Sequence, residues 1–555
     1  MVSTSIHVNH AGRPGVGRGH SEVDASPSDA SVAISDVADS GTLEHALLTQ
    51  ADATTRSPDG HTSLPELDRY LSARSHADVR GLVEGPRLDA LRAKLPSVGR
   101  SSRASARSVR SSAESILAAR TITADQAAQL IKPGDRVLIP IGHMGSAEII
   151  DALKRRALQP DQLDASKPVR LFGGAHLIDP MVYATGGKIV PESIFIDACS
   201  RQAYAAGLGD FIPIYLHRIP SLVRDGRLPV DVAVVRVTEP DEDGYVSLGT
   251  TAVFGPAGIE AAKTVIAEMN PNVPRTRGET KVHVSKLDHI VRSRAPMFPL
   301  PVPEVSEIDA RIAKNIVGLI PEGATLQFGI GGVPNAVAGA LAAEGRRGLH
   351  VRSEMISDGV MKLAEAGAID GDIEFAFAMG SNDLLQWMNN NPRLNAKSVD
   401  KINEPSELRK IDKFVAVNTA LRIDLKGQAN AQQINGTMYS GVGGQVDFMR
   451  GATGSKDGRA ILALPSVKTI KNEAGEPELI STIVPRLTGD DVVTTPMHDV
   501  QYVVTEHGVA YLDGKTMTER AKALIAVADP RFRPALEAEL KTLQRRRAAA
   551  PASES

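Results

Sequence analysis

Two stretches of this chain repeat one rhythm. ITADQAAQLIKPGDRVLIPIG (122–142) and IDARIAKNIVGLIPEGATLQFGIG (308–331) each read as a helix, a K/P-x-G turn, a short apolar strand and a glycine. An apolar run of four to seven residues bounded by glycine is the mark of a buried strand, and a helix on either side makes the sheet parallel. With 555 residues there is room for such a unit twice. The expectation is therefore an α/β protein of two related open-sheet domains with the active site between them.

The rest of the text fits that frame. Thr123 before ADQAAQLI reads as a helix cap, and SAEIIDALKRRA (146–157) as an amphipathic helix. VRLFGG, SIFIDA, IPIYL, VDVAVVRV and KTVIAEMN supply further β-rich runs between 169 and 270. APMFPLPVPEVSE (295–307) breaks the series, because its prolines continue neither helix nor central strand. After it, AVAGALAA and TERAKALIAVA read as helices. ATLQFGIGG, LHVRSEM, the 414–421 run, RAILALP, DVVTT and QYVVTEHG read as strands. The expected organisation is an extension at 1–115, an N-terminal α/β domain at 116–302, a C-terminal α/β domain at 303–545 and a tail at 546–555. The extension is rich in Ser, Ala, Asp, Arg and Gly, and such a segment buries too little apolar surface to offset its chain entropy, so it is expected to be disordered, like the tail.

Bulk chemistry excludes several functions. A formal charge of -3 gives no polyanion-binding field, so nucleic acid is not an expected partner. No apolar run is long enough to span a bilayer, and no membrane partner is expected. The N-terminus lacks the apolar core of a secretory signal. The single cysteine, Cys199, builds neither a disulfide nor a zinc site alone and fits a reducing, cytoplasmic setting as a buried structural thiol. No metal site is expected.

Four segments carry candidate chemistry. GIGGVPNAVAGAL (329–341) is a glycine turn opening a helix, suited either to an anion or to a tight connection. It lacks the Lys-Ser/Thr pair of a P-loop. It also partly imitates a dinucleotide fingerprint, with Gly329 and Gly331 in place, Asn335 where the third glycine belongs and Glu354 at the ribose-binding distance; an NAD-dependent oxidoreductase is thus an alternative class. SEMISDG (353–359) ends a strand on Glu354, well placed for a cleft, although such a carboxylate is also a common solvated or capping group. GTMYSGVGGQVDFMRGA (436–452) crowds Gly441, Gly443 and Gly444 before Asp447 and Arg450, and forms either an oxyanion hole or a bulged strand. In TEHGVAYLDGKT (505–516), Glu506 and His507 are adjacent strand residues, which point to opposite faces and form no acid–base pair in that setting. PDEDGYVSLG (240–249) matches a calcium loop for three residues only and is set aside.

Together these segments resemble the acetyl-CoA hydrolase/transferase family of coenzyme A transferases. The resemblance runs in order through 210–249, NVPRTRGE (272–279), 329–341, 353–369, 440–452 and 503–533, and is closest to the 4-hydroxybutyrate and butyrate/acetate branch. It departs at Arg277, where the family commonly has histidine, and residues before about 118 have no counterpart. The resemblance implies Glu354 as the nucleophile and Gly331, Gly332, Val333, Pro334 and Asn335 as the CoA-binding turn. It places Gly443 and Gly444 near the thioester oxygen, and Lys468, or equally Lys471, near CoA. It implies no bound cofactor, with coenzyme A or acyl-CoA as substrate. The partners are acyl-CoA and short-chain carboxylic acids, in a homodimer or homotetramer. The same glutamate would serve an acetyl-CoA hydrolase.

Overall fold

The computed structural model describes residues 113–302, 304–329, 331–471, 475–489 and 491–549. The extension up to residue 112 and the tail from 550 lie outside the described residues. Residues 113–115, counted with the extension, instead begin a helix over 113–120 whose Ala113 and Leu117 pack into an apolar cluster with Val246 and Ile290. The last helix runs on through 549, into the expected tail.

The repeated rhythm corresponds to a repeated sheet. In the first half, β1 (Arg136–Leu138), β2 (Val169–Gly174), β3 (Ile189–Phe195), β4 (Asp210–Phe211), β5 (Val232–Val237), β6 (Thr264–Met269) and β7 (His289–Arg292) lie in the order β7-β6-β5-β1-β2-β3-β4. In the second half the strands are β8 (Thr325–Phe328), β9 (Leu349–Ile356), β10 (Ile369–Ala378), β11 (Leu394–Ala396), β12 (Phe414–Thr419), β13 (Arg459–Ala463) and β14 (Tyr502–Thr505). They lie in the order β14-β13-β12-β8-β9-β10-β11. Each half thus opens on its central strand, builds outward to one edge, then returns to build the other. All the pairings within these two series are parallel. Such sheets need helices on both faces, which explains the continuous apolar strands, such as the wholly buried VAVVRV of β5.

Capping signals read from the sequence hold in three dimensions. Thr123 makes a capping box with Gln126, and Ser146 accepts from the Ile149 N–H. Two expected strands are not strands. IPIYL is irregular and then turns into the 3-10 helix Leu216–Arg218, and DVVTT contributes one isolated bridge at Thr495. Prolines and a loop position, rather than β-propensity, decide both. QYVVTEHG holds a hairpin turn: β14 ends at Thr505 and an antiparallel strand starts at Gly508. Glu506 and His507 therefore share the turn, 3.7 Å apart, where the strand expectation separated them. Glu506 accepts from Ser466 N–H and Oγ, which makes it a structural brace.

The halves are tied to each other by backbone. Ala252 N–H donates to Ala376 O and Ala378 N–H to Thr250 O, both at 2.8 Å, an antiparallel bridge between a loop of the first half and β10 of the second. The short strand Arg277–Gly278 adds to the edge of the second sheet beside β11, so the chain crosses between sheets before the proline-rich segment. His143 closes the join: its Nε2 accepts from the Gly380 N–H at 3.0 Å, which leaves Nδ1 to donate to Phe298 O at 2.6 Å. Burial pushes this imidazole's pKa below its usual value, against the pull of the Phe298 carbonyl and Asp358. Among the described residues no helix is long and apolar enough to cross a membrane.

His143 is therefore held neutral in the fold and charges more readily when the chain unfolds, so its contribution is complete above about pH 6.5 and declines as pH falls below it. His143→Ala is expected to lower stability by about 1–3 kcal/mol at neutral pH, the cost of orphaning two buried groups. It should also weaken the acid dependence of the melting temperature. A variant that melts like the wild type at pH 7.5 would show that the join does not depend on this ring.

Candidate active site

Glu354 sits near the carboxyl end of β9, one strand from the central β8. The period of two along LHVRSEMI buries Val351, Ser353 and Met355 and turns Arg352 and Glu354 to the other face. There Glu354 reaches a cavity of about 520 Å3 lined from both halves. Ile141, Ile194, Phe195 and Leu216 come from the first, and Gln327, Gly329, Phe377, Asn418 and Phe448 from the second. Ligand sites in open parallel sheets lie outside the carboxyl ends of strands, where the strand order reverses. Here the reversal falls at β8 and β12, whose Gln327 and Asn418 are joined by a 3.0 Å hydrogen bond from Asn418 Nδ2 to Gln327 Oε1.

A glycine loop covers the carboxylate. Gly443 takes a φ of +54°, in the left-handed region, and Gly444 starts the helix Gln445–Gly454. A Cβ on Gly444 would stand 1.9 Å from Glu354 Oε2 and 2.4 Å from Asn403 Nδ2, so no other residue fits without moving the carboxylate. The helix that begins there brings the positive end of its dipole close to the carboxylate, a setting that favours negative charge. The loop is thus not a bulged strand.

Beneath the loop, Asn403 Nδ2 donates to Glu354 Oε2 at 2.6 Å. Asp447, on the first turn of Gln445–Gly454, is buried beside them and lies 2.8 Å through Oδ1 from His217 Nδ1. Burial raises the Glu354 pKa to about 7; the Asn403 bond opposes this and the Asp447 charge adds to it. Asp447 is itself raised by burial, against its bond to His217. For His217, burial alone would lower the pKa, but the Asp447 bond and charge, with Glu404, turn the net shift upward.

The expected site residues divide. Glu354, Gly443 and Gly444 line one cavity. Residues 331–335 do not line it. Gly331, at φ +118°, starts the helix Gly332–Ala343, and a Cβ on Gly332 would be 2.6 Å from Asp309 Oδ2. Val333 and Pro334 are turned into that helix's packing, and Asn335 accepts from Ser357 Oγ and lines a separate cleft of about 350 Å3 with Val305, Asp358 and Lys362. Lys468 is half-buried on the hairpin strand Val467–Lys471, near Arg422 and Asp491, with a pKa lowered first by burial. The Lys471 side chain lies outside the described residues. Cys199 donates towards Ile178 O at 3.1 Å, and burial pushes its thiol up, a structural role. Among the described residues no group of three or more His, Cys, Asp or Glu side chains is placed to hold a metal ion.

Sequence reasoning missed Asn403 and His217, and quoted Asp447 without a role. Asn403 ends a four-residue helix in a polar stretch with no motif, and His217 follows a run taken for a strand. Neither carries a local signal, since their meaning is the contact they make across the fold.

With this geometry in place, comparison with known proteins is specific. Residues 105–302 match the acetyl-CoA hydrolase/transferase N-terminal domain and residues 380–540 its C-terminal domain. The 4-hydroxybutyrate coenzyme A transferase of Clostridium kluyveri is 39% identical over 436 residues, 77% of this chain and 99% of that protein. The crystal structure of RipA from Yersinia pestis superposes with a TM-score of 0.71 at 30% identity, over 78% of this chain and 99% of that one. A more distant relative, the acetyl-CoA hydrolase of Neurospora crassa, is 28% identical over 56% of this chain and 65% of its own length. The chain belongs to the acetyl-CoA hydrolase/transferase family of enzymes. That membership displaces the dinucleotide reading of the 329–335 turn.

Two outcomes follow from the site. Gly444→Ala should cut turnover by about 100-fold, the scale of a 1 Å misplacement of a reacting group. The same clash should cost roughly 1–3 kcal/mol of stability, and full activity would mean that the loop is not seated on Glu354. Separately, the folded state holds the Glu354 proton more tightly than the unfolded chain, so this residue's stabilising share is whole below about pH 4.5 and lost as pH rises through 7. Glu354→Gln should therefore stabilise the protein at pH 8, by about 3 kcal/mol at most, and make no difference near pH 4. Equal melting temperatures at pH 8 would contradict a buried, desolvated carboxylate.

Proposed function

We propose that this enzyme exchanges coenzyme A between a short-chain acyl-CoA and a free carboxylic acid, with Glu354 as covalent nucleophile. The supporting observation is the Glu354 carboxylate under the Gly443–Gly444 loop, in a cavity between the two halves. The relatives named as CoA transferases agree with it.

The chemistry follows from a carboxylate in that position. Glu354 attacks the acyl-CoA carbonyl, the C–S bond breaks, and a mixed anhydride and CoA thiolate result. The thiolate then attacks the glutamyl carbonyl, leaving a glutamyl-CoA thioester and the free acid. A second acid runs the same steps in reverse, so the kinetics are ping-pong. A serine or cysteine nucleophile would keep the acyl group and release CoA, and so could not pass CoA to a second acid. Each tetrahedral intermediate carries an oxyanion, and one well-placed backbone donor is worth roughly 3 kcal/mol. The largely apolar lining, including Ile194, Phe195, Phe377 and Phe448, suits a short acyl chain and disfavours water.

CoA is far longer than its thioester, so residues 331–335 and Lys468 are proposed as contacts to its distal part. We take 113–302 and 303–549 as the two domains and the protein as a cytoplasmic homodimer or homotetramer. Its single cysteine suits a reducing compartment.

Glu354→Gln is expected to abolish transfer, and borohydride after acyl-CoA treatment should mark the Glu354 peptide in a mass spectrum. A variant retaining a tenth of wild-type rate, or a mark on Glu506, would assign the nucleophile elsewhere. With saturating acetate, CoA transfer should exceed release of free CoA. The reverse ratio would make the enzyme a hydrolase acting through the same intermediate.

A further inference from the structure

A line of polar groups runs behind Glu354 into the first half of the molecule, and the transfer chemistry does not use its outer members. From the inside it reads Glu354, Asn403, Asp447, His217. Asn403 is fully buried, with Nδ2 on Glu354 and no hydrogen-bond partner at Oδ1. Asp447 is 2% exposed, with Oδ1 on His217 and no partner at Oδ2. His217 stands on the 3-10 helix Leu216–Arg218 of the first half, its side chain 19% exposed. Two carboxylates are thus enclosed around one amide, and only the outer end of the line offers a cation in hydrogen-bond contact. Buried charges of like sign are costly unless one is neutralised.

The other charged and titratable groups around this line are few. His217 faces Asp447, Glu404 and Arg218, with the Tyr215 ring stacked 6.2 Å away. Asp447 also feels Arg450, which is occupied by Asp499 at 2.9 Å and lies over the Tyr215 ring. Glu354 faces Asn403 and Asp447.

We propose that His217 and Asp447 form a positioning pair for Glu354: the imidazolium from the first half neutralises the carboxylate behind Asn403, and so sets the charge against which the nucleophile ionises. The inference rests on the reading of Glu354 as nucleophile. Its logic is that only the ionised carboxylate attacks a thioester. With Asp447 alone behind it, Glu354 would hold its proton; the imidazolium offsets that repulsion and leaves Glu354 able to ionise near neutral pH. Because the pair spans the two halves, the setting is complete only when they are assembled around the cavity.

The test follows Glu354 ionisation in the full-length enzyme in two ways. One is the acid limb of kcat/KM for CoA transfer. The other is the pH dependence of water-soluble carbodiimide labelling at Glu354, read by mass spectrometry, which needs no turnover. Asp447→Asn should move both midpoints to lower pH, by about one unit, as expected for removal of a close like charge. His217→Gln should move both to higher pH, because the enclosed carboxylate pair loses its cation. In the Asp447→Asn background, His217→Gln should produce no further upward shift, which isolates the coupling. A purely structural pair would lower the melting temperature and leave both midpoints in place; that result, or a downward shift in His217→Gln, overturns the proposal. Should one variant fail to fold, the other still decides through the direction of its shift. Failure of the nucleophile reading is seen separately, as transfer that survives Glu354→Gln, while the labelling midpoints continue to report on the pair.

Discussion

The pairing of Thr250–Ala252 with Ala376–Ala378 is the contact on which the catalytic arrangement depends. Two backbone bonds of 2.8 Å, made outside either parallel sheet, dock a loop of the first half against the end of β10. β10 neighbours β9, so the same contact fixes the strand that carries Glu354. His143, between Phe298 and Gly380, secures the connecting segment at the same place. Backbone bonds of this kind are indifferent to side-chain identity, which lets the cavity walls vary while the join stays.

The site keeps a carboxylate where burial opposes its charge. A surface glutamate is a poor nucleophile because water stabilises it; one with a pKa raised to about 7 is less solvated and still ionises near neutrality. The fold holds this unfavourable group in place with Asn403 from one side and Gly444 from the other. With Glu354 as the proposed nucleophile, stability is given up at the site for reactivity, a common relation in enzymes. The same physics explains the glycine: any side chain at 444 would occupy the volume of the carboxylate oxygen.

Family membership rests on residues 105–302 and 380–540, whereas the proposed chemistry rests on a few contacts. The matched N- and C-terminal domains of the acetyl-CoA hydrolase/transferase family span the first sheet and β11–β14 of the second, with β8–β10 and Glu354 between them. Whether the cavity transfers CoA or lets water take the intermediate depends on its lining and closure. In this chain that lining is mostly apolar and aromatic, with Arg201 stacked on Tyr439 at its edge.

Local sequence determined the repeated helix–turn–strand–glycine unit, the caps at Thr123 and Ser146, and the glutamate at a strand end, because each depends on neighbours within a few residues. It did not announce β10, whose opening IDGDIE lacks an apolar run, and it suggested strands at IPIYL and DVVTT that the fold leaves irregular. Tertiary structure alone decided that Glu354, Asn403, Asp447 and His217 meet, since they come from four separate elements and both halves of the chain. It also decided that Gly443 and Gly444 cover that carboxylate while residues 331–335 and Lys468 face elsewhere. The physical reason is that burial and charge coupling act through space: a carboxylate's chemistry is set by what folds around it, and no spacing along the chain records that.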